Sequence, residues 1–200
     1  MTATQPTTPL EPADVRSRAD LAALTASGVQ PKYLMFWGHQ PRHDGAIGSE
    51  CLSQWWPSPF TVDGVQYATA EHWMMAGKAR LFRDRCALGR ILAAGTPADA
   101  KKWGRLVRGF NEEVWKRQRF GIVVEGNVAK FSQDQALAAY LRGTRRRVLV
   151  EASPRDRVWG IGLAADNERA TDPAQWRGSN LLGFALMEAR SRLPGVQPVG

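Results

Sequence analysis

Only two cysteines occur in the chain, Cys51 and Cys86, and they form neither a C-x-x-C pair nor a metal-ligand spacing. That excludes a disulfide-stapled scaffold, and each is expected to be a buried thiol in a reducing compartment. Histidine is scarce too. His39, His43 and His72 make no H-E-x-x-H or comparable arrangement, so no metal site and no cofactor are expected. No apolar run reaches the length of a bilayer span, and the opening MTATQPTTPLEP lacks the basic and apolar regions of a secretory leader. The expectation is a cytoplasmic protein with no membrane association and no obligate protein partner. Internal repeats and coiled-coil heptads are also missing.

What is present is enough apolar sequence, 44% of 200 residues, to fold one domain without staples. The net charge of +8 is unevenly placed. Residues 78–147 hold 17 Lys/Arg against 6 Asp/Glu, while the rest of the chain is slightly acidic. Much of the excess is Arg, including Arg145-Arg146-Arg147, and Arg clamps phosphate in bidentate fashion. A basic middle segment therefore suggests an anionic ligand, although a merely solvated surface would look the same.

Organisation follows from caps and turn residues. Residues 1–12, rich in Thr and Pro, form an expected disordered tail; 13–30 form a helix and linker; 31–194 form the main domain; 195–200 form a second tail. A short helix is expected from Glu11 to Ala26, ending at Gly28. Lys32–Trp37 (KYLMFW) is a strand, and Asp63-Gly64 turns a hairpin of Phe60–Val62 and Val65–Tyr67. Thr69 caps a helix reaching Leu81, Thr96-Pro97 starts another, and Asn111 opens a long one to about Lys130. Ser132 caps a fourth ending near Gly143. Arg147–Ala152 (RVLVEA) is a strand, 153–179 a loop, and Asn180–Leu193 a final helix. The fold class is mainly α with a small antiparallel β-sheet or hairpin, in a single domain.

Three places carry candidate chemistry. Glu71 lies in the first turn of its helix, where free N–H groups favour a carboxylate, with Met74, Met75 and Lys78 on its face. A capping Glu with a snorkelling Lys would give the same spacing. Asp156-Arg157-Val158-Trp159-Gly160-Ile161-Gly162 sets an acid and a flat Trp beside two glycines that let a backbone approach a ligand. A simple turn after the strand is the competing reading, since G-x-G alone is weak. Eight Trp are many for this length. Trp115, among Glu112, Glu113, Lys116 and Arg117, is either the inward residue of an amphipathic helix or a stacking platform.

Together these places resemble one family. From about Phe36 to Leu193 the chain is similar to the NADAR, or YbiA-like, family. The likeness rests on LSQWWPSPFTVDGVQYATAEHWMMAGKARLF with its Y-x-T-x-E-H core, on NVAKF, on SPRDRVWGIGL and on GSNLLGFALMEAR. It implies a single YbiA-like domain and hydrolysis of a ribose C1–N bond. The residues implicated in catalysis fall on Glu71, Trp115, Asp156 and Trp159. The family's F-S-N-F segment stands here as Leu52-Ser53-Gln54-Trp55, a departure that bears on substrate choice.

Two substrates are implied. One is ADP-ribose on the exocyclic amine of guanine, in nucleotide or nucleic acid. The other is a phosphoribosylamino-pyrimidine of riboflavin synthesis. The basic middle segment favours the first. A non-catalytic module binding ADP-ribose or nucleic acid is a third possibility, which two carboxylates beside an anionic ligand argue against. The bond needs a carboxylate near the oxocarbenium-like C1, a proton for the leaving nitrogen and a placed water. Glu71 and Asp156 would divide the acid and base roles, and Trp115 and Trp159 would flank base and ribose. Lys78 would neutralise phosphate or, less simply, form a Schiff base with the opened sugar. Gly160, Gly162 and Asn180 are expected donors to diphosphate or ribose hydroxyls, with Phe36 and Trp37 beside them as substrate-binding residues.

Overall fold

The computed structural model describes residues 10–194, so positions 1–9 of the tail expected over 1–12, and all of the tail at 195–200, lie outside the described residues. In chain order the elements are α1 (Arg18–Ala26), β1 (Tyr33–Phe36), β2 (Phe60–Val62), β3 (Val65–Tyr67), α2 (Ala70–Leu81), α3 (Arg85–Leu92), α4 (Pro97–Arg105), α5 (Glu112–Ser132), α6 (Gln135–Gly143), β4 (Val148–Glu151) and α7 (Leu181–Arg192). The fold is mainly α with two small sheets. One is the β2–β3 hairpin, paired in antiparallel register from Phe60 opposite Tyr67 to Val62 opposite Val65. Asp63 and Gly64 both have positive φ, 51° and 75°, the two-residue turn whose twist suits a hairpin and which glycine makes easy. The other differs from the antiparallel expectation. β1 and β4 pair in parallel, Tyr33 opposite Val148 and Phe36 opposite Glu151. A parallel pair needs a crossover, here the whole helical middle of the chain.

Helix starts follow the chemistry of their caps. Thr69, Thr96 and Asn111 accept from the N–H of His72, Asp99 and Val114. Thr69 also donates its hydroxyl to His72 Nδ1 (2.8 Å), because His72 Nε2 must donate to the Ala94 carbonyl (3.0 Å). His72 thus ties α2 to the end of α3. Helix α6 is capped by Asp134, not Ser132, which is the last residue of α5. Helix α3, absent from the sequence reading, is capped by Asp84 and buries Ala87 and Ile91 one turn apart. α1 begins at Arg18, not Glu11, where Ser17 caps it.

At the centre, α2 packs against α3, α4 and α5, while α7 lies between α5 and β4. α7 buries Leu182, Gly183, Phe184, Ala185, Leu186 and Met187 in succession, as expected of a helix covered on most sides. Val15 and Leu21 are fully buried in the same core, so the N-terminal segment belongs to the domain. An Arg16–Glu188 ion pair adds to that attachment. Cys51 is buried, whereas Cys86 is exposed on the outer side of α3, correcting the expectation of two buried thiols. No helix among the described residues is long and apolar enough to cross a membrane.

Candidate active site

The N-terminus of α2, α4, the start of α5, the end of the parallel pair and the loop after β4 enclose a cavity of about 1030 Å³. Glu71, Trp115, Asp156 and Trp159 all line it, as do Lys78, Phe36 and Trp37. The residues on Glu71's helical face, Met74, Met75 and Lys78, line it as their spacing predicts.

Glu71 is 2% exposed. Its N–H donates to the Gln54 carbonyl (2.9 Å), which fixes the α2 terminus against the loop before β2. Its Oε1 is buried with no hydrogen-bond partner. Burial pushes the Glu71 carboxyl up to about 7, with nearby Lys101 opposing the shift and Asp156 adding to it. Asp156 is held differently. Its Oδ1 accepts the N–H of Val158 (2.8 Å) and Trp159 (2.7 Å), an Asx-type turn that places Trp159 at the cavity.

A third carboxyl escaped the sequence reading. Glu151, the last residue of β4, lines the same cavity, and its Oε2 is also buried and unpartnered. Burial, reinforced by Asp156 and Glu71, pushes Glu151 up to about 8, against Lys101. Its only sequence signal is its place just before the S-P-R-D block.

Aromatic and cationic groups make the rest of the wall. Trp115 is 8% exposed and still lines the cavity, so both readings of it meet: it packs inward and faces the ligand space. Lys78 Nζ lies 4.1 Å from the Phe110 ring centroid and 5.8 Å from that of Trp115. Burial lowers the Lys78 pKa, with Glu112 opposing. Lys101, Arg105, Arg119, Arg155 and Arg157 are the other cations of the lining, and Arg119 Nε is buried without a partner. A smaller annex of about 460 Å³ shares Trp55, Lys101 and Arg105 with the main cavity and adds Lys102. The run Arg145-Arg146-Arg147 does not line either space; it turns α6 into β4, and Arg146 pairs with Glu11.

Three expected donors are not part of the lining. Asn180 is fully buried in left-handed conformation (φ 53°), its Nδ2 donating to the Leu149 carbonyl (2.9 Å) and its Oδ1 accepting the Glu151 N–H (2.9 Å). Gly160 packs so close to β4 that an added Cβ would lie 2.8 Å from the Glu151 carbonyl oxygen. Gly162 lies against Arg157 and Arg177. These residues build the wall behind the site and do not face the ligand space. The Leu52-Ser53-Gln54-Trp55 departure divides similarly. Ser53 and Trp55 line the cavity, while Gln54 is buried and donates to Asn127 Oδ1 (3.1 Å) on α5.

Five buried side-chain polar atoms among the described residues have no partner, and three of them, on Glu71, Glu151 and Arg119, belong to this cavity. Buried polar atoms are normally satisfied, so the concentration points to a polar ligand that completes them.

Comparison with known proteins places the same region. The family model for the NADAR domain matches residues 35–194. The chain is 40% identical over 164 residues to N-glycosidase R617 of Acanthamoeba polyphaga mimivirus, across 80% of this chain and 95% of that protein. It is 30% identical over 135 residues to N-glycosidase YbiA of Escherichia coli, across 68% and 76%. The NMR structure of Escherichia coli YbiA superposes with a TM-score of 0.62 at 27% identity, covering 82% of this chain and 85% of that one.

Proposed function

The chain belongs to the NADAR family and is a hydrolase of N-glycosyl bonds, and from that premise we propose that it removes ADP-ribose from the exocyclic amine of guanine in nucleotides or nucleic acid. One observation carries the reading. Two carboxyls and two indoles from distant parts of the chain, Glu71, Trp115, Asp156 and Trp159, line one cavity with a cationic wall.

The chemistry follows from where each group is held. As the C1–N bond lengthens, positive charge develops on C1 and the ring oxygen, and a carboxylate beside them lowers the barrier. Asp156, fixed by two backbone N–H groups, suits that place and accepts the proton of the attacking water. Glu71, whose burial retains its proton into the neutral range, suits protonation of the leaving nitrogen. Trp115 and Trp159 flank the base and ribose, and Lys78 with the Arg side chains faces phosphate. The size of the space favours the ADP-ribosyl substrate. A main cavity of about 1030 Å³ with a basic annex has room for two phosphates and a second nucleoside, which a phosphoribosylamino-pyrimidine lacks.

The test is incubation with guanine-ADP-ribosylated DNA and, separately, with a phosphoribosylamino-pyrimidine, with mass spectrometry of the released sugar. Release of ADP-ribose from the first is expected; cleavage of the second alone would reassign the substrate. Glu71→Ala and Asp156→Ala are each expected to lose about 10²–10⁴ in rate while keeping the wild-type circular dichroism spectrum. Near-wild-type turnover in both variants would remove the mechanism.

A further inference from the structure

We infer that the annex beside the main cavity is a binding site for single-stranded nucleic acid. Trp55 stacks the base next to the modified guanine, and Lys101, Lys102 and Arg105 meet the backbone phosphates. The inference rests on the ADP-ribosyl-guanine reading above and selects the polymer over the free nucleotide as substrate. Its first support is the make-up of the lining. The annex, about 460 Å³, is walled by Trp55, Ala98, Lys101, Lys102, Arg105 and Leu106: three cations, one indole and no carboxyl. The main cavity, by contrast, sets its cations among Glu71, Glu112, Glu151 and Asp156. None of the three annex cations takes part in an ion pair among the described residues. Cations beside a flat aromatic ring match a strand, which offers phosphate charge along its backbone and a stacking face on every base.

The second support is how Trp55 is mounted. It lines both spaces and so stands where they meet. Lys101 Nζ lies 5.8 Å from its ring centroid, and the His39 ring lies 5.5 Å away at a 52° tilt. The segment that carries it is pinned to α5 from within. Buried Lys130 donates through Nζ to the carbonyls of Cys51 (2.6 Å) and Ser53 (2.9 Å), and the Trp55 N–H donates to Ser53 Oγ (3.1 Å). The Gln54–Asn127 bond adds to this hold. Cys51, Leu52 and Gln54 are buried, while Trp55 is left half-buried between the two spaces. An indole fixed before its ligand arrives loses little freedom on stacking. The outer end of the annex decides which part of a substrate it takes. Lys102 and Leu106 are exposed, Leu106 by 59%, so this end opens to solvent. Glu71 and Glu151, on the main cavity, each have a carboxyl oxygen sealed from it. A strand has to leave the site in order to continue, and the distal adenosine of a free ADP-ribosyl nucleotide does not.

The experiment is fluorescence anisotropy of a labelled, unmodified single-stranded deoxyoligonucleotide, about eight nucleotides long, titrated with the whole chain as wild type and as Trp55→Leu. The probe has no ADP-ribose and no scissile bond, so it tests the annex apart from hydrolysis. The wild type should bind it, more weakly as salt rises, and Trp55→Leu should bind about 5- to 150-fold less tightly. The same sequence as a duplex should bind less well, because a paired base is not free to stack. Saturating ADP-ribose, which fills the main cavity, should leave the strand bound. No binding by the wild type, unchanged affinity in Trp55→Leu, or equal affinity for the duplex would each overturn the inference. Displacement by ADP-ribose would also overturn it and give the annex to the distal adenosine. Should Trp55→Leu not fold, an abasic oligomer of the same length, titrated with the wild type, decides. A loss of similar size supports stacking, and equal binding overturns it. A wild type that holds the strand yet releases no ADP-ribose from modified DNA refutes the hydrolytic reading and leaves the strand site standing.

Discussion

Replacing Glu71 by Gln removes a charge that the folded chain has to strip of water. In the fold this carboxyl is raised from 4.5 to about 7, chiefly by burial. A raised carboxyl binds its proton more tightly in the folded state than in the unfolded one. Its contribution to stability is therefore fully present below pH 4.5 and is lost as pH rises through about 7. At about 1.4 kcal/mol per pH unit, the full loss approaches about 3 kcal/mol once pH exceeds about 7. Gln keeps the shape and cannot ionise. Glu71→Gln should therefore match the wild type below about pH 4 and exceed it by about 1–3 kcal/mol at pH 8.5, several degrees of Tm for a domain of this size. The same variant should be close to inactive, a gain in stability at the cost of function. The assay is thermal melting followed by circular dichroism across that range. Lys130 is pushed down to about 7 by its own burial, so its contribution makes stability rise with pH above that point. The comparison is therefore variant against wild type at each pH, not the slope of either curve. Parallel curves, with no gap opening between about pH 4.5 and 7, would refute the reasoning.

Trp159→Ala should raise KM roughly 5- to 150-fold, the equivalent of one stacked base, with a smaller effect on kcat; steady-state kinetics on a nucleotide substrate checks this. Lys102→Glu, at the exposed edge of the annex, should weaken binding to ADP-ribosylated DNA and lower its salt slope by about one. The same change should leave the free nucleotide substrate almost unaffected, and an equal loss on both would show that the annex does not follow the polymer.

Local chemistry made much of this fold legible. Asp63-Gly64 between two apolar triplets, Thr69 before an acidic first turn, Thr96-Pro97 and Asn111 each name an element boundary from one or two residues, and each lies where the structure has it. Non-local facts were not legible. The parallel pairing of β1 with β4 depends on the helical middle packing between them, which no short window contains. α3 is short and arginine-rich with Gly89 inside it, so its two buried positions, Ala87 and Ile91, are too few to show a period. Asn180 was misjudged because G-S-N before a helix looks like a ligand-facing N-terminus. Its left-handed backbone and inward side chain are set by β4, far away in sequence. Glu151 was overlooked for the same reason: at the end of an apolar strand a glutamate is expected to face water, whereas the cavity wall built from distant segments withdraws its Oε2 from solvent.

The arrangement of charge in the cavity has one further consequence. Glu71, Glu151 and Asp156 share a lining with Lys78, Lys101, Arg105 and Arg119, yet none of the ion pairs found among the described residues joins one of these carboxyls to one of these cations. Paired, the two sets would satisfy each other and offer little to a ligand; apart, each keeps an unmet electrostatic demand in a space of reduced dielectric. The proposed substrate has the matching polarity, with phosphate charge along its diphosphate and a cation that develops at C1 only as the bond breaks. The cations then act in the ground state and the carboxylates mainly in the transition state, which is the division that raises kcat instead of merely tightening binding. Removing a cavity cation should therefore be felt first in KM, and removing a carboxyl first in kcat.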